Sequence, residues 1–248
     1  MALPYTARMD NAGRPDDQKR RTPKQRRQRF VKERPPRESE DTPWRLFIAV
    51  PLPQPVTAFV GDIISDLERE SWPVRWADPG NAHLTLHFLG DTPPERAALL
   101  RMALRDVVAR HDAFDLRTAD LGVFPAMKRP RVLWLGLWGP AHRLETLRND
   151  LGEMLEGFDY ALDDKSFHPH ITLGRVRDTR TVRVRDLPGA IRDRFERASA
   201  SGEVTNKKPL PVPVREVLLV RSHLGKEGAR YEVLERYPLR VPEESPAR

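Results

Sequence analysis

The chain contains two stretches in which the same order of predicted elements recurs. In the first, a strand at "RLFIAV" (residues 45–50) precedes a helix at 55–70 and a strand that contains "HLTL". In the second, a strand at "RVLWLG" precedes a helix at 141–157 and a strand that contains "HITL". The step from the start of the first strand to the histidine is 38 residues in one stretch and 39 in the other. Matching order at matching spacing indicates an internal duplication, with two lobes related by a pseudo-twofold axis and a cleft between them.

The remaining predicted elements set the fold class. Strands and helices mix without the strict alternation that a parallel sheet requires, which favours an α+β fold. Further helices are predicted at 93–111 and 190–198, and further strands at 114–124, 214–224 and 231–239. We expect a two-lobed domain over residues 43–241, followed by a flexible C-terminus at 242–248.

The net charge of +7 is concentrated at one end of the chain. The first 40 residues hold 12 Lys and Arg against 6 Asp and Glu, whereas the rest of the chain holds 31 basic and 30 acidic residues. The basic end is poor in apolar residues and rich in proline, so it cannot bury enough surface to offset its ordering entropy. We therefore expect residues 1–42 to form a disordered basic tail. Its positive charge would allow it to bind RNA or another polyanion.

Composition excludes several classes of protein. The absence of cysteine excludes disulfides, thiol nucleophiles and cysteine-ligated metals. The chain has no apolar run long enough to span a membrane, and its N-terminus lacks the apolar centre of a signal peptide. We expect a cytoplasmic monomer that does not contact membranes.

One face of the central strand in each repeat is polar. Because side chains alternate along a strand, His83, Thr85 and His87 of "NAHLTLHFLG" are predicted to share a face. The second repeat has His170 and Thr172 at matching positions, whereas His87 aligns with a glycine. The duplication therefore indicates one site built from two His-x-Thr pairs.

Two histidines and two threonines suit in-line displacement at phosphorus. A neutral imidazole can take a proton from water while an imidazolium gives one to the leaving oxygen, since histidine titrates near neutral pH. Two hydroxyls can donate to the non-bridging oxygens, on which negative charge builds in the transition state. This chemistry requires no metal ion or other cofactor.

The sequence resembles a known family, the two-histidine phosphoesterases, and within it the RNA 2′,3′-cyclic phosphodiesterases, also called 2′-5′ RNA ligase-like proteins. The resemblance runs from about Arg45 to Leu239. It rests on "RLFIAVPLP", "RWADPGNAHLTLHFLGD", "PRVLWLGL", "FHPHITLGR" and "LGKEGARYEVLERYPL". It implies a bilobal fold of antiparallel sheets flanked by helices, and an enzyme that opens 2′,3′-cyclic phosphates at RNA ends to leave a 2′-phosphate.

The resemblance also implies roles for single residues. His83 would donate a proton to the leaving 3′ oxygen, His170 would accept one from water, and Thr85 and Thr172 would hold the phosphate. Two further residues would contact the substrate: Arg175, which corresponds to a basic residue of the family, and His87, where relatives often carry Lys or Arg. Strand alternation turns Arg175 away from the His170 face, so its assignment requires a bulge or a strand end.

Three alternatives stay open at this point. A metallo-phosphohydrolase would use His83, His87, His168 and His170 as metal ligands. A non-catalytic module would bind RNA ends in the same cleft. RNA ligation, the reverse reaction that joins 2′-5′ ends, would use the same site as hydrolysis.

Overall fold

The computed structural model describes residues 42–162, 166–177, 187–201, 209–225 and 228–241, and all structural statements below concern these residues. The expected tail, apart from residue 42, and the expected flexible C-terminus lie outside them. Among the described helices, none is both long and apolar enough to cross a membrane.

Helices and strands mix as the sequence predicts. The four described α-helices are α1 Gln54–Glu68, α2 Pro94–Val108, α3 Ala141–Glu156 and α4 Leu187–Ser201, and a 3-10 helix spans Pro79–Asn81. The nine described strands are β1 Trp44–Pro51, β2 Val74–Trp76, β3 His83–Thr92, β4 Phe114–Phe124, β5 Val132–Trp138, β6 His170–Val176, β7 Pro211–Val214, β8 Glu216–Gly225 and β9 Gly228–Pro238. The α+β fold class is confirmed.

One predicted strand is divided in two. The stretch predicted at 214–224 forms the end of β7 and most of β8, with a break at Arg215. The break has a topological cause, because β7 pairs with β4 whereas β8 pairs with β1 and β9. At the break between β7 and β8, the guanidinium of Arg215 donates hydrogen bonds to the Phe114 carbonyl and to Asp115 of β4, each at 2.7 Å.

The strands form one sheet whose order reflects the duplication. The order is β7-β4-β5-β6-β3-β1-β8-β9, with β2 paired to β6 outside this path, and every pairing between these strands is antiparallel. The central neighbours, β6 and β3, are the two strands that carry the His-x-Thr pairs. Moving outward from this centre, β5 and β4 on one side mirror β1 and β8 on the other. The two halves therefore meet where the polar motifs lie.

The helices cover one face of the sheet and leave the other face open at its centre. Along β3 and β6, Leu84, Leu86, Ile171 and Leu173 are buried in the main core together with residues of all four helices. Helix α1 contributes an apolar stripe at helical spacing: Val56, Phe59, Val60, Ile63, Ile64 and Leu67. Since side chains alternate along a strand, this packing turns His83, Thr85, His170 and Thr172 to the open face.

Candidate active site

The two central strands bring five of the six predicted site residues into one cavity. The cavity has a volume of about 700 Å³, and its walls include His83, Thr85, His170, Thr172 and Arg175. Strands β3 and β6 pair at a single position, Leu84 with Ile171, which follows the histidine on each strand. Beyond this pair, β2 takes the place of β3 beside β6, at Val74 to Trp76.

The antiparallel register arranges the four polar side chains as a square. With Leu84 opposite Ile171, His83 lies across from Thr172, and Thr85 lies across from His170. The two histidines therefore occupy diagonal corners, about 7–8 Å apart by ordinary sheet geometry. A phosphate at the centre of the square would have one imidazole on each of two opposite sides.

Each histidine is fixed by the same local contact. The Nδ1 of His83 lies 2.7 Å from the carbonyl oxygen of Asn81, and the Nδ1 of His170 lies 2.6 Å from that of His168. A carbonyl can only accept, so Nδ1 carries the hydrogen in both rings and donates it. The Nε2 atom is left as the nitrogen that can give or take a proton in the cavity.

Aromatic rings hold both imidazoles in position. Phe47 stacks on His83 with ring centroids 4.8 Å apart, and Tyr231 meets the same ring edge-on at 5.3 Å. His170 is packed edge-on by Phe124 at 4.9 Å, with Trp134 beyond it at 6.3 Å. These apolar walls restrict the access of water to each imidazole and fix its orientation.

Burial sets the acid–base properties of the pair. Desolvation by burial lowers the pKa of both histidines, because it disfavours the charged imidazolium. The positive charge of each ring's surroundings acts in the same direction: His170 lowers the pKa of His83, and Arg175 lowers that of His170. The backbone hydrogen bond to each Nδ1 opposes these effects in part.

The two threonine hydroxyls are available to a ligand. Thr85 and Thr172 line the cavity and are half-buried. In the described part of the chain, neither hydroxyl makes a hydrogen bond to another side chain or to the backbone. Both can therefore donate to an anion in the cavity.

A bulge in β6 brings Arg175 to the cavity wall. Thr172 pairs with Trp134 and Gly174 pairs with the adjacent Leu133, so Leu173 is an extra residue without a partner on β5. The extra residue reverses the alternation after Thr172, and Arg175 then points to the same side as His170.

The same irregularity in β3 moves His87 away from the cavity. Leu86 is the extra residue there, because Thr85 and His87 pair with adjacent residues of β1. As a result His87 is buried in the core, where its Nε2 lies 2.8 Å from the Arg148 carbonyl of α3. Phe88, the next residue, lies in the cavity wall and is 66% exposed. The structure therefore does not bring His87 to the other predicted site residues.

Cavity residues that strand alternation did not identify include Phe88, Arg45 and Arg75. Phe88 could have been found by aligning the repeats, since it holds the position of Arg175. Arg75 lies in β2, whose partner among the described strands is β6. No pattern in the local sequence indicates this pairing.

The histidines proposed as metal ligands do not gather into one cluster, because His87 lies on the opposite side of the sheet from His83. In the ranges that the structure describes, no group of three or more His, Asp or Glu side chains is arranged to hold a metal ion.

Comparison with known proteins agrees with this geometry. A sequence profile of the 2′-5′ RNA ligase superfamily matches residues 55–226, which include both His-x-Thr pairs. The chain belongs to this superfamily. A Methanothermobacter thermautotrophicus protein named RNA 2′,3′-cyclic phosphodiesterase is 30% identical over 196 residues, which cover 79% of this chain and 98% of that protein. A protein of the same name from Thermus thermophilus is 34% identical over 205 residues, covering 79% and 90% of the two chains.

Solved structures of this superfamily share its fold. A Thermus thermophilus protein superposes with a TM-score of 0.60 at 30% identity and covers 80% of this chain and all of its own. Escherichia coli LigT in complex with 3′-AMP gives a TM-score of 0.57 at 26% identity and covers 79% and 98% of the two chains. The fold implied by the two His-x-Thr repeats is confirmed.

Proposed function

We propose that this protein is an RNA 2′,3′-cyclic phosphodiesterase, which hydrolyses the cyclic phosphate at an RNA end to a 2′-phosphomonoester. The observation that carries the proposal is the diagonal pair of histidines, each anchored through Nδ1, across one cavity with two free threonine hydroxyls. The names of the relatives from Methanothermobacter and Thermus support the choice of substrate.

In the proposed reaction, His170 Nε2 takes a proton from a water molecule as the water oxygen attacks phosphorus. The bond from phosphorus to the 3′ oxygen breaks, and His83 Nε2 gives its proton to that oxygen. The two imidazoles thus exchange protonation states in one turnover, and water supplies the atoms added. The diagonal arrangement suits this step, because nucleophile and leaving group occupy opposite sides of phosphorus in an in-line displacement.

The cavity supplies charge stabilisation for the transition state. The hydroxyls of Thr85 and Thr172 can each donate a hydrogen bond to a non-bridging oxygen of the reacting phosphate. The lowered pKa of His170 suits a base, since it keeps the imidazole neutral. The lowered pKa of His83 opposes its role as an acid, and the negative charge of a bound phosphate would raise it again.

The test uses an RNA oligomer that ends in a 2′,3′-cyclic phosphate, with chelator present. We expect a 2′-phosphomonoester as product, and a loss of about 10²–10⁴-fold in turnover for His83→Ala and for His170→Ala. His142→Ala, which removes an exposed histidine outside the cavity, is the matched control and retains full turnover. Circular dichroism checks that each variant is folded.

Each alternative predicts a different result. A 3′-phosphomonoester would reverse the roles of His83 and His170, and full activity in both variants would refute the mechanism. Activity lost on chelation and restored by a divalent metal would favour a metallo-phosphohydrolase. Binding of the oligomer without turnover would indicate an RNA-end-binding module, and a joined 2′-5′ product would reveal ligation.

A further inference from the structure

Two arginines face each other in the cavity wall. Arg75 of β2 and Arg175 of β6 are direct partners in the antiparallel register, so their side chains leave the sheet on the same face. Both side chains are exposed, and both line the cavity. Like charges directly opposite each other in a sheet are destabilising, so this pairing requires an explanation.

Among the residues that the structure describes, no acidic side chain pairs with either arginine. Within the described ranges, neither arginine makes an ion pair or a side-chain hydrogen bond. Other arginines of the described ranges do make such contacts: Arg105 pairs with Glu235 at 2.7 Å, and Arg236 pairs with Glu216 at 2.6 Å. Two guanidinium groups that have no acidic partner among the described residues therefore lie at one place, and their donors can bind an external anion.

The pair lies beside the predicted phosphate position, at a distance that suits a second phosphate. Thr172 and Arg175 pair with residues two positions apart on β5, so their Cα atoms are roughly 7 Å apart along the sheet. The guanidinium of Arg75 also lies close to β9, since a Cβ at Gly228 would be 3.6 Å from its Nη2. The ribose of one nucleotide spans a distance of this order between its 3′-side and 5′-side phosphates.

We infer that Arg75 and Arg175 bind the phosphate on the 5′ oxygen of the nucleoside whose cyclic phosphate reacts. The inference rests on the proposed function and names its substrate class: RNA ends and 5′-phosphorylated nucleotides, in preference to nucleoside 2′,3′-cyclic phosphates. An anion between the two guanidinium groups offsets their repulsion. Each planar guanidinium can donate two parallel hydrogen bonds to the oxygens of a phosphate. Arg75 is thereby a specificity-determining residue that does not touch the reacting phosphorus.

The experiment compares three substrates: adenosine 2′,3′-cyclic phosphate, its 5′-phosphorylated form, and the dinucleotide ApA ending in a 2′,3′-cyclic phosphate. We expect kcat/KM to be at least about tenfold higher for the two that carry a 5′ phosphate, chiefly through KM. Arg75→Gln reduces this preference to less than about threefold. The matched control, Arg110→Gln, removes an exposed arginine outside the cavity and keeps the preference. The two phosphorylated substrates distinguish a phosphomonoester from a phosphodiester as the preferred anion.

The outcomes separate the two proposals. If none of the three substrates is hydrolysed, the proposed function fails. If all three are hydrolysed with equal kcat/KM, or if the preference survives Arg75→Gln, the inference about Arg75 fails while the function stands. An equal loss on all three substrates, with unchanged thermal unfolding, would place Arg75 at the reacting phosphate and would also overturn the inference.

Discussion

Gly174 lies at the bulge between Thr172 and Arg175, where a methyl group does not fit. A Cβ at this position would stand 2.5 Å from Val74 Cγ1 and 2.9 Å from Trp76 Cε3. Carbon atoms normally pack at about 3.5–4.0 Å, so Gly174→Ala requires β2 to move outward by roughly 1 Å. Val74 is buried in the main core, and the movement therefore disturbs packing as well as the position of Arg75.

The size of the effect follows from two opposing contributions. Forcing an extra methyl group into a packed site costs about 1–3 kcal/mol. Replacing glycine by alanine also restricts the unfolded chain, which returns about 0.4–1 kcal/mol. We expect Gly174→Ala to lower the free energy of unfolding by about 1–2 kcal/mol, which is roughly 2–8 °C in Tm for a domain of this size.

Gly61→Ala is the matched control, since it makes the same chemical change where there is room. Gly61 lies inside α1, and a Cβ there would meet Pro79 at 3.5 Å, an ordinary contact. Alanine in a helix interior is favoured by about 0.5–1 kcal/mol over glycine. Urea unfolding should therefore give shifts of opposite sign for the two variants. A Gly174→Ala protein as stable as the wild type would refute the steric account of this bulge.

Two further predictions concern the histidines and the threonines. Because burial lowers the pKa of His83, His87 and His170 below the ordinary value near 6.5, the unfolded chain binds more protons than the folded one. The free energy of unfolding should therefore be highest above about pH 6.5 and should decrease as the pH falls below that value. Urea midpoints that stay constant from pH 7.5 to 5 would contradict this expectation. Thr85→Val and Thr172→Val should each lower kcat about 10²-fold on the cyclic-phosphate oligomer, with Tm nearly unchanged, and kcat values within twofold of wild type would exclude hydroxyl donation.

The sequence was sufficient to predict those parts of the site that depend only on strand alternation. His83 and Thr85 are separated by one residue, as are His170 and Thr172, so each pair shares a face in any regular strand. The repeat spacing then placed both pairs in one cleft, and the central position of β3 and β6 confirms that arrangement. The pairing of β2 with β6 could not be predicted, because a strand of three residues has no periodicity from which to infer its partner.

His87 shows where alternation stops being informative. A bulge adds a residue to one strand without changing its composition, so the hydrophobic pattern does not reveal it. In "HLTLHFLG" regular alternation predicts that His87 lies on the cavity face, whereas in the structure Leu86 and His87 both turn to the core. In the core His87 packs beside Gly152 of α3, where a Cβ would lie 3.5 Å from its Cε1.

The duplication itself contained the information that corrects this assignment. Arg175 can reach the cavity only if β6 has a bulge after Thr172, and that requirement is readable from the sequence once Arg175 is placed in the site. If the two strands descend from one ancestral strand, the same bulge is expected after Thr85, which turns His87 to the core and Phe88 to the cavity. Both strands do carry the extra residue at the leucine after the threonine. In a duplicated fold, a bulge that the site requires in one repeat is therefore evidence for the same bulge in the other repeat. Here that evidence would have predicted Phe88, and not His87, in the wall of the cavity.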